Sequence, residues 1–200
     1  MENDHYYSSN PTSESLERML NYELKDKKFK FISDNGVFSK NRVDFATDFL
    51  LSTIYDEASG DILDVGCGYG VIGISLSKSD KVKSVTMLDI NSRALDLAKR
   101  NVSLNNAKNI KIVESNIFES ITESYDSIVT NQTIRAGKEV LHEIYKGSKK
   151  HLKIGGKLFL VINKKHGAPS TINFLSELFG NCEIVDKKAG FHVLMCKRTI

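Results

Sequence analysis

Cysteine is scarce in this chain: three in 200 residues. Cys67, Cys182 and Cys196 are widely spaced and fall in no CxxC or Cys/His ligand pattern. That set argues against a disulfide framework and against a zinc site, and it suits a reducing, cytoplasmic setting. No apolar run approaches the ~18 residues of a membrane span. The N-terminal stretch MENDHYYSSNPTSES is polar and acidic, unlike a signal peptide. Internal repeats and low-complexity blocks are missing too, so no solenoid or flexible array is indicated. His5, His142, His151 and His192 form no catalytic grouping, and no metal site is signalled.

What is present is the composition of a soluble globular protein, 40% hydrophobic and 26% charged. Chains of this size bury roughly 70% of their unfolded surface without staples. One domain over 1–200 is expected, with 1–42 as an N-terminal extension and hairpin and 43–200 as the core. The net charge of +3 hides an asymmetry. Residues 101–200 carry 15 Lys and Arg against 9 Asp and Glu, whereas the first hundred carry 13 against 16. Much of the excess lies at Arg135, Lys138, Lys146, Lys149, Lys150, Lys153, Lys157, Lys164 and Lys165. Such a run is either a solvated helix face with its loops or a patch for a polyanion such as RNA.

Strand-like apolar runs alternate with amphipathic segments through the centre. DILDVG (61–66), SVTMLDI (84–90), NIKIVES (109–115), YDSIVT (125–130) and GGKLFLVINK (155–164) read as strands. Between them, Asn91 is a helix N-cap followed by Ala94, Leu95, Ala98 and Val102 at helical spacing. Val140, Leu141, Ile144, Tyr145 and Leu152 repeat that spacing. The alternation implies right-handed βαβ units and a mainly parallel sheet covered on both faces. A helix with Pro169 in its first turn and Gly180 at its end precedes CEIVD (182–186) and FHVLMC (191–196). Only KKAG joins those two strands, which requires an antiparallel hairpin. Near the start, KFKFISDNGVFSK reads as a small hairpin turning at Asp34-Asn35-Gly36, followed by a helix over roughly 43–55.

The strongest local signal is DILDVGCGYGVIGISLSK, where a strand enters Gly66-Cys67-Gly68-Tyr69-Gly70 and a helix begins near Val71. Glycines there let the backbone turn tightly and approach a ligand closely. A dinucleotide fingerprint needs G-x-G-x-x-G, but the fifth residue after Gly66 is Val71. The pattern is D-x-G-x-G-x-G, with Asp64 two residues before the first glycine. An acid there is awkward for a pyrophosphate and useful for a ligand bearing an ammonium group. Asp89 ends the following strand, from which a carboxylate can accept both ribose hydroxyls. Glycines alone could merely pack a helix on a sheet. Together with Asp64 and Asp89 they point to S-adenosylmethionine (SAM).

From these residues the chain resembles the class I SAM-dependent methyltransferases over nearly its whole length. That resemblance implies a Rossmann-like α/β fold with a seven-stranded, mainly parallel sheet in order 3-2-1-4-5-7-6, strand 7 antiparallel and helices on both faces. It implies that Asp64 and Gly66, Cys67, Gly68 and Gly70 hold the methionine end, Asp89 the ribose, and Ile90 the adenine. The acid that commonly accepts from the adenine amino group is replaced by Asn116, beside Ile117, and an amide oxygen can still accept that bond. DNGVFSKNRVDFATDFLL, TNQTIRAGK and NKKHGAPS are similar, more narrowly, to the small single-domain relatives of the 16S rRNA guanine-N2 methyltransferases. Their pattern G-V-F-S, D-x-G-T, N-P-P-[FI]-R/H-A-G-K is kept at Gly36, Val37, Phe38, Ser39, Asp44, Thr47, Asn131, Ile134, Arg135, Ala136, Gly137 and Lys138. Ala46, Gln132 and Thr133 depart from it.

The resemblance implies methyl transfer to the exocyclic N2 of a guanine in small-subunit rRNA, without a metal. Asn131 and the Gln132 carbonyl would accept the amino hydrogens, and Ile134 would pack on the base. Arg135, Lys138, Lys164 and Lys165 would contact RNA, because they stand at the same sheet edge as the cofactor turn, and the resemblance adds Phe38 to the substrate-binding set. Proline fixes φ and lacks an N–H, so Gln132 and Thr133 loosen the tip. The alternative that follows is a SAM- and RNA-binding member with impaired or lost catalysis. A small-molecule or protein methyltransferase is disfavoured by Arg135 and Lys138 behind the asparagine.

Overall fold

Residues 14–37, 39–131 and 137–200 are described in the structure, a computed structural model. The chain opens with the antiparallel strands β1 (Arg18–Leu24) and β2 (Lys27–Ser33). There follow α1 (Phe45–Ile54), β3 (Gly60–Val65), α2 (Val71–Leu76), β4 (Val82–Asp89), α3 (Ser92–Leu104), β5 (Ile110–Glu114) and β6 (Tyr125–Thr130). Then come α4 (Lys138–His151), β7 (Leu152–Asn163), α5 (Ala168–Phe179), β8 (Glu183–Lys188) and β9 (Phe191–Lys197).

Seven of the strands form one sheet in the order β5-β4-β3-β6-β7-β9-β8. All neighbours are parallel except β9, which runs antiparallel to both β7 and β8. This is the expected 3-2-1-4-5-7-6 topology. Strands β3 and β6 are buried along most of their length, including the polar Asp64, Ser127 and Thr130, as central strands of a parallel sheet under helices are. One core packs the hairpin and α1 to α3 on one side, through Phe31, Leu50, Ile54 and Met87. A second packs α4 and α5 on the other, through Leu141, Ile144, Leu175 and Phe179. The outermost strand, β8, has all six residues exposed and a register break between Ile184 and Asp186.

Two local expectations are corrected. The first hairpin turns at Lys25 and Asp26, not at Asp34-Asn35-Gly36. Leu20 faces Phe31 and Tyr22 faces Phe29 across the pair, so apolar alternation set the register against the stronger Asn-Gly turn signal. Leu152 opens β7 instead of closing α4. The 34–36 turn does a different job. Buried Asp34 accepts from the Leu16 and Asn35 amides, and Gly36 lies so close to Arg93 that a Cβ would sit 2.6 Å from its guanidinium.

The outer edge of β2 is closed by side chains. Asn101 Oδ1 accepts from the Ile32 amide at 2.7 Å, and its Nδ2 donates to the Ile32 carbonyl at 2.9 Å. One turn on, Asn105 does the same for Lys30. The two asparagines of α3 thus imitate a neighbouring strand. Asn101 also donates to the Tyr69 carbonyl, which joins the hairpin to the glycine turn.

Candidate active site

The strand order reverses beside β3, whose neighbours run one way to β5 and the other way through β6. Open α/β sheets bind ligands at such a switch point, outside the carboxyl ends of the strands. There the structure has a pocket of about 270 Å³. It is lined by Gly66, Cys67 and Gly68 from the turn after β3, and by Asp89, Ile90 and Asn91 from the end of β4. Ser115, Asn116 and Ile117 come from the end of β5, and Asn131 from the end of β6. Each strand tip delivers its residues because the sheet is parallel there.

Gly66, Gly68 and Gly70 all adopt left-handed φ values, 70°, 55° and 95°, which explains the spacing of the motif. The Gly66 and Cys67 amides both donate to the Leu88 carbonyl at 2.9 Å, which fixes the turn on β4. At Gly68 an added Cβ would meet nothing within 4 Å, so the turn presents bare backbone to the pocket. That concavity suits an elongated ligand whose backbone contacts would be displaced by any side chain.

Asp89 Oδ2 accepts from the Gly68 amide at 2.8 Å and Oδ1 from the Asn91 amide at 2.9 Å. Burial raises its pKa above the ordinary carboxylate value despite those bonds. Asp64 is wholly buried beneath the turn and does not line the pocket. Its Oδ2 accepts from the Gly73 amide at 2.9 Å, while Oδ1 is buried without a partner. Burial pushes its pKa up to about 7. In this geometry Asp64 braces the turn and α2 from below. Gly70 likewise stands outside the pocket lining, as the N-cap of α2. The Cys67 thiol is buried, and burial and the neighbouring Asp89 and Asp64 raise its pKa well above normal, the opposite of what an activated nucleophile needs.

Two asparagines of the pocket are oriented by acids. Asn116 donates from Nδ2 to Glu119 Oε1 at 2.8 Å, and its Oδ1 has no partner among the described residues. Ile117 beside it holds φ 51°, an unusual backbone for a β-branched residue, which turns the chain sharply after β5. Asn131 donates from Nδ2 to Thr47 Oγ1 at 2.8 Å, and its Oδ1 too is without a partner among the described residues. Thr47 donates in turn to Asp44, the N-cap of α1.

Phe38, Gln132, Ile134 and Arg135 lie outside the described residues. Lys138 opens α4 and is exposed, as are Lys164 and Lys165 in the loop after β7. Their side chains have no ion pair among the described residues, unlike Lys153 and Lys157 nearer the other end of β7, which pair with Asp61, Asp126 and Glu57. Sequence patterns did not single out the last hairpin as a rim of the site, and Phe45, which the sequence offered as a pocket or core residue, stands on that rim outside the pocket lining. Phe45, 38% exposed, packs on Phe191 with ring centroids 5.5 Å apart. Lys187 and Lys188 end β8 at the same sheet edge, since Lys188 is paired with Phe191. Nor did they give roles to Asp44 and Thr47, whose only signal was membership of the D-x-x-T pattern.

Among the described residues, no group of three or more His, Cys, Asp or Glu could hold a metal, and no helix is long and apolar enough to cross a membrane.

Comparison with known proteins agrees with this geometry. The methyltransferase small domain family matches residues 28–195. The uncharacterized Bacillus subtilis protein YbxB is 43% identical over 198 residues, 98% of each chain. Ribosomal RNA small subunit methyltransferase C of Cronobacter sakazakii is 32% identical over 176 residues, 86% of this chain and 50% of that protein. The chain therefore spans about half the length of that ribosomal RNA methyltransferase. The T. thermophilus 16S rRNA N2 methyltransferase RsmC, solved in complex with AdoMet and guanosine, superposes with a TM-score of 0.82 at 25% identity, covering 94% of this chain and 52% of that one. Ribosomal protein L11 methylase of Lactobacillus delbrueckii, at 21% identity and a TM-score of 0.67, covers 80% of this chain and 85% of its own and shares the fold. By sheet order, glycine turn and sequence, the chain belongs to the methyltransferase small domain family, whose cofactor is S-adenosylmethionine.

Proposed function

We propose that this protein transfers a methyl group from SAM to the exocyclic N2 of a guanine in small-subunit rRNA. The observation that carries the reading is Asn131, which directly follows β6 in the lining of the cofactor pocket with its amide oxygen unengaged among the described residues. Bound SAM supplies an electrophilic methyl and a neutral thioether leaving group. An exocyclic amine is a poor nucleophile because its lone pair is delocalised into the ring. Asn131 Oδ1 and the Gln132 carbonyl accept hydrogen bonds from its two N–H groups, which favours a pyramidal nitrogen with its lone pair toward the methyl. As the N–C bond forms the sulfur–methyl bond breaks, and the methylated nitrogen releases one proton to solvent. Ile134 packs on the base. Placement of this kind removes roughly 7–11 kcal/mol of barrier in well-oriented systems.

On the cofactor side, Asp89 takes the ribose hydroxyls and Ile90 and Ile117 the adenine faces. Asn116 Oδ1 accepts from the adenine amino group, with its NH2 already committed to Glu119. Gly66, Cys67, Gly68 and Gly70 shape the methionine end, and Asp64 supports that turn. The bare backbone at Gly68 leaves room for a cofactor to lie against the turn. RNA lies on Phe38, Arg135, Lys138, Lys164 and Lys165, with the Phe45 and Phe191 pair and Lys187 and Lys188 extending that surface. Guanosine in the T. thermophilus relative's complex supports the choice of base. A small-subunit target places the reaction in the cytoplasm, in a single domain spanning 1–200.

Gln132 and Thr133 favour a second reading, a SAM- and RNA-binding protein with impaired turnover. They stand where the family has two prolines, and a misplacement of ~1 Å costs on the order of 100-fold in rate. Mass spectrometry of rRNA nucleosides from cells with and without the protein decides between them. Loss of N2-methylguanosine from small-subunit rRNA is the expected result. An unchanged profile, with SAM binding intact and methylation restored only in Gln132→Pro/Thr133→Pro, would establish the second reading.

A further inference from the structure

We infer that Asp44 and Thr47 are positioning residues that set the orientation of the Asn131 amide, and so decide which of its atoms meets the substrate. The inference rests on the proposed amine methylation, and it follows from counting hydrogens. Asp44 is the N-cap of α1: its Oδ1 accepts from the Ala46 amide at 3.0 Å and the Thr47 amide at 3.2 Å. Its Oδ2 accepts from the Thr47 hydroxyl. Three hydrogens thus converge on one carboxylate. A threonine hydroxyl has a single hydrogen, and here Asp44 holds it. Toward Asn131, Thr47 Oγ1 can therefore only accept.

An amide side chain presents either two hydrogens or an oxygen to a given neighbour. With Thr47 restricted to accepting, Asn131 must turn its NH2 to Thr47, at 2.8 Å. Its Oδ1 is then the atom left for the pocket. The opposite orientation would set two acceptors against each other at Thr47 and present two hydrogens to the substrate. An amine whose hydrogens must be accepted would meet donors instead. All three residues line the same pocket, and Thr47 is 6% exposed, so water does not readily replace the contact. The start of α1 thereby carries specificity: the site is built for a group that donates, such as an amino nitrogen, and against a bare acceptor.

The test uses the SAM-loaded, full-length protein and three variants. Thr47→Val keeps the shape and removes the hydroxyl, Thr47→Ser keeps the hydroxyl, and Asp44→Asn keeps a good N-cap while supplying hydrogens to Thr47. In the wild type, one Asn131 side-chain N–H is held in a hydrogen bond, which NMR detects as a displaced, exchange-protected amide resonance. Thr47→Val is expected to lose that signature and to lower kcat by about 100-fold, the cost of a misplaced reacting group, with KM for RNA within about threefold. Thr47→Ser should restore both to near wild type. Asp44→Asn should free the amide to invert and lower kcat while leaving α1 folded by circular dichroism. Unchanged Asn131 resonances in Thr47→Val, or equal kcat in Thr47→Val and Thr47→Ser, would overturn the inference. If the wild type methylates no RNA, the functional reading fails, and the resonances alone decide the orientation.

Discussion

Asp64 shows how a single buried acid can tie stability to pH. Its carboxyl is pushed up to about 7 by burial, against 3.8 for an unperturbed group. Between about pH 4 and pH 7 the unfolded chain therefore holds fewer protons than the native one. The free energy of unfolding falls as pH rises through that window and levels off above it. Asp64→Asn keeps an oxygen for the Gly73 amide and removes the titration. Its stability relative to wild type, by urea unfolding, is expected to improve by a few kcal/mol from pH 4.5 to pH 7.5. A difference independent of pH would show that Asp64 is not shifted. The sequence announced this acid, by its place two residues before Gly66, but not which way it faces. Period-two alternation cannot decide that on a strand buried on both faces. Asp89 and Asn131 were easier to read, because a strand tip beside a glycine turn has only the pocket to face.

At the scale of elements, the α3 asparagines replace a missing strand. Asn101→Ala removes partners from the Ile32 amide, the Ile32 carbonyl and the Tyr69 carbonyl together. Orphaned buried groups cost about 1–3 kcal/mol each. Part of the site relaxes to admit water, and a loss of about 3 kcal/mol is expected. For a domain of this length that lowers Tm by roughly 6–12 °C in calorimetry. Because Tyr69 belongs to the cofactor turn, SAM affinity should fall as well. A change below ~1 kcal/mol would mean that the hairpin holds itself. The helices and seven core strands were legible, since their apolar periods are long and their caps, Asn91 and Gly180, are explicit. The first hairpin was not legible in detail. Its turn, Lys25-Asp26, carries no turn signature, and what closes its edge comes from residues about 70 positions away.

Across the whole molecule, the cationic surplus of the second half divides into two populations. Lys153 and Lys157 are spent on ion pairs toward the amino ends of the parallel strands. Lys164 and Lys165 stand at the carboxyl end of β7 without one among the described residues. If that edge carries RNA, Lys164→Gln/Lys165→Gln should weaken RNA binding at low salt and reduce the slope of log K against log salt by roughly 1.4 for a single strand. Lys146→Gln/Lys150→Gln, on exposed positions of α4, should leave the slope unchanged. Filter binding across a salt series measures both, and equal effects of the two pairs would count against a directed surface. The sequence could show the surplus but not its partition, which depends on which lysines the fold brings to acids.

The strand that ends the sheet has one more implication. A bare β edge is a template on which another chain can add itself. In β8 the apolar pair Ile184 and Val185 is flanked by Glu183, Asp186, Lys187 and Lys188, and the register break falls directly beside it. Charge and irregularity there blunt aggregation at an edge that no helix or loop of the described chain covers. The same lysines offered above as RNA contacts thus serve colloidal stability as well, and selection for solubility alone would preserve them even in a descendant that no longer touched RNA.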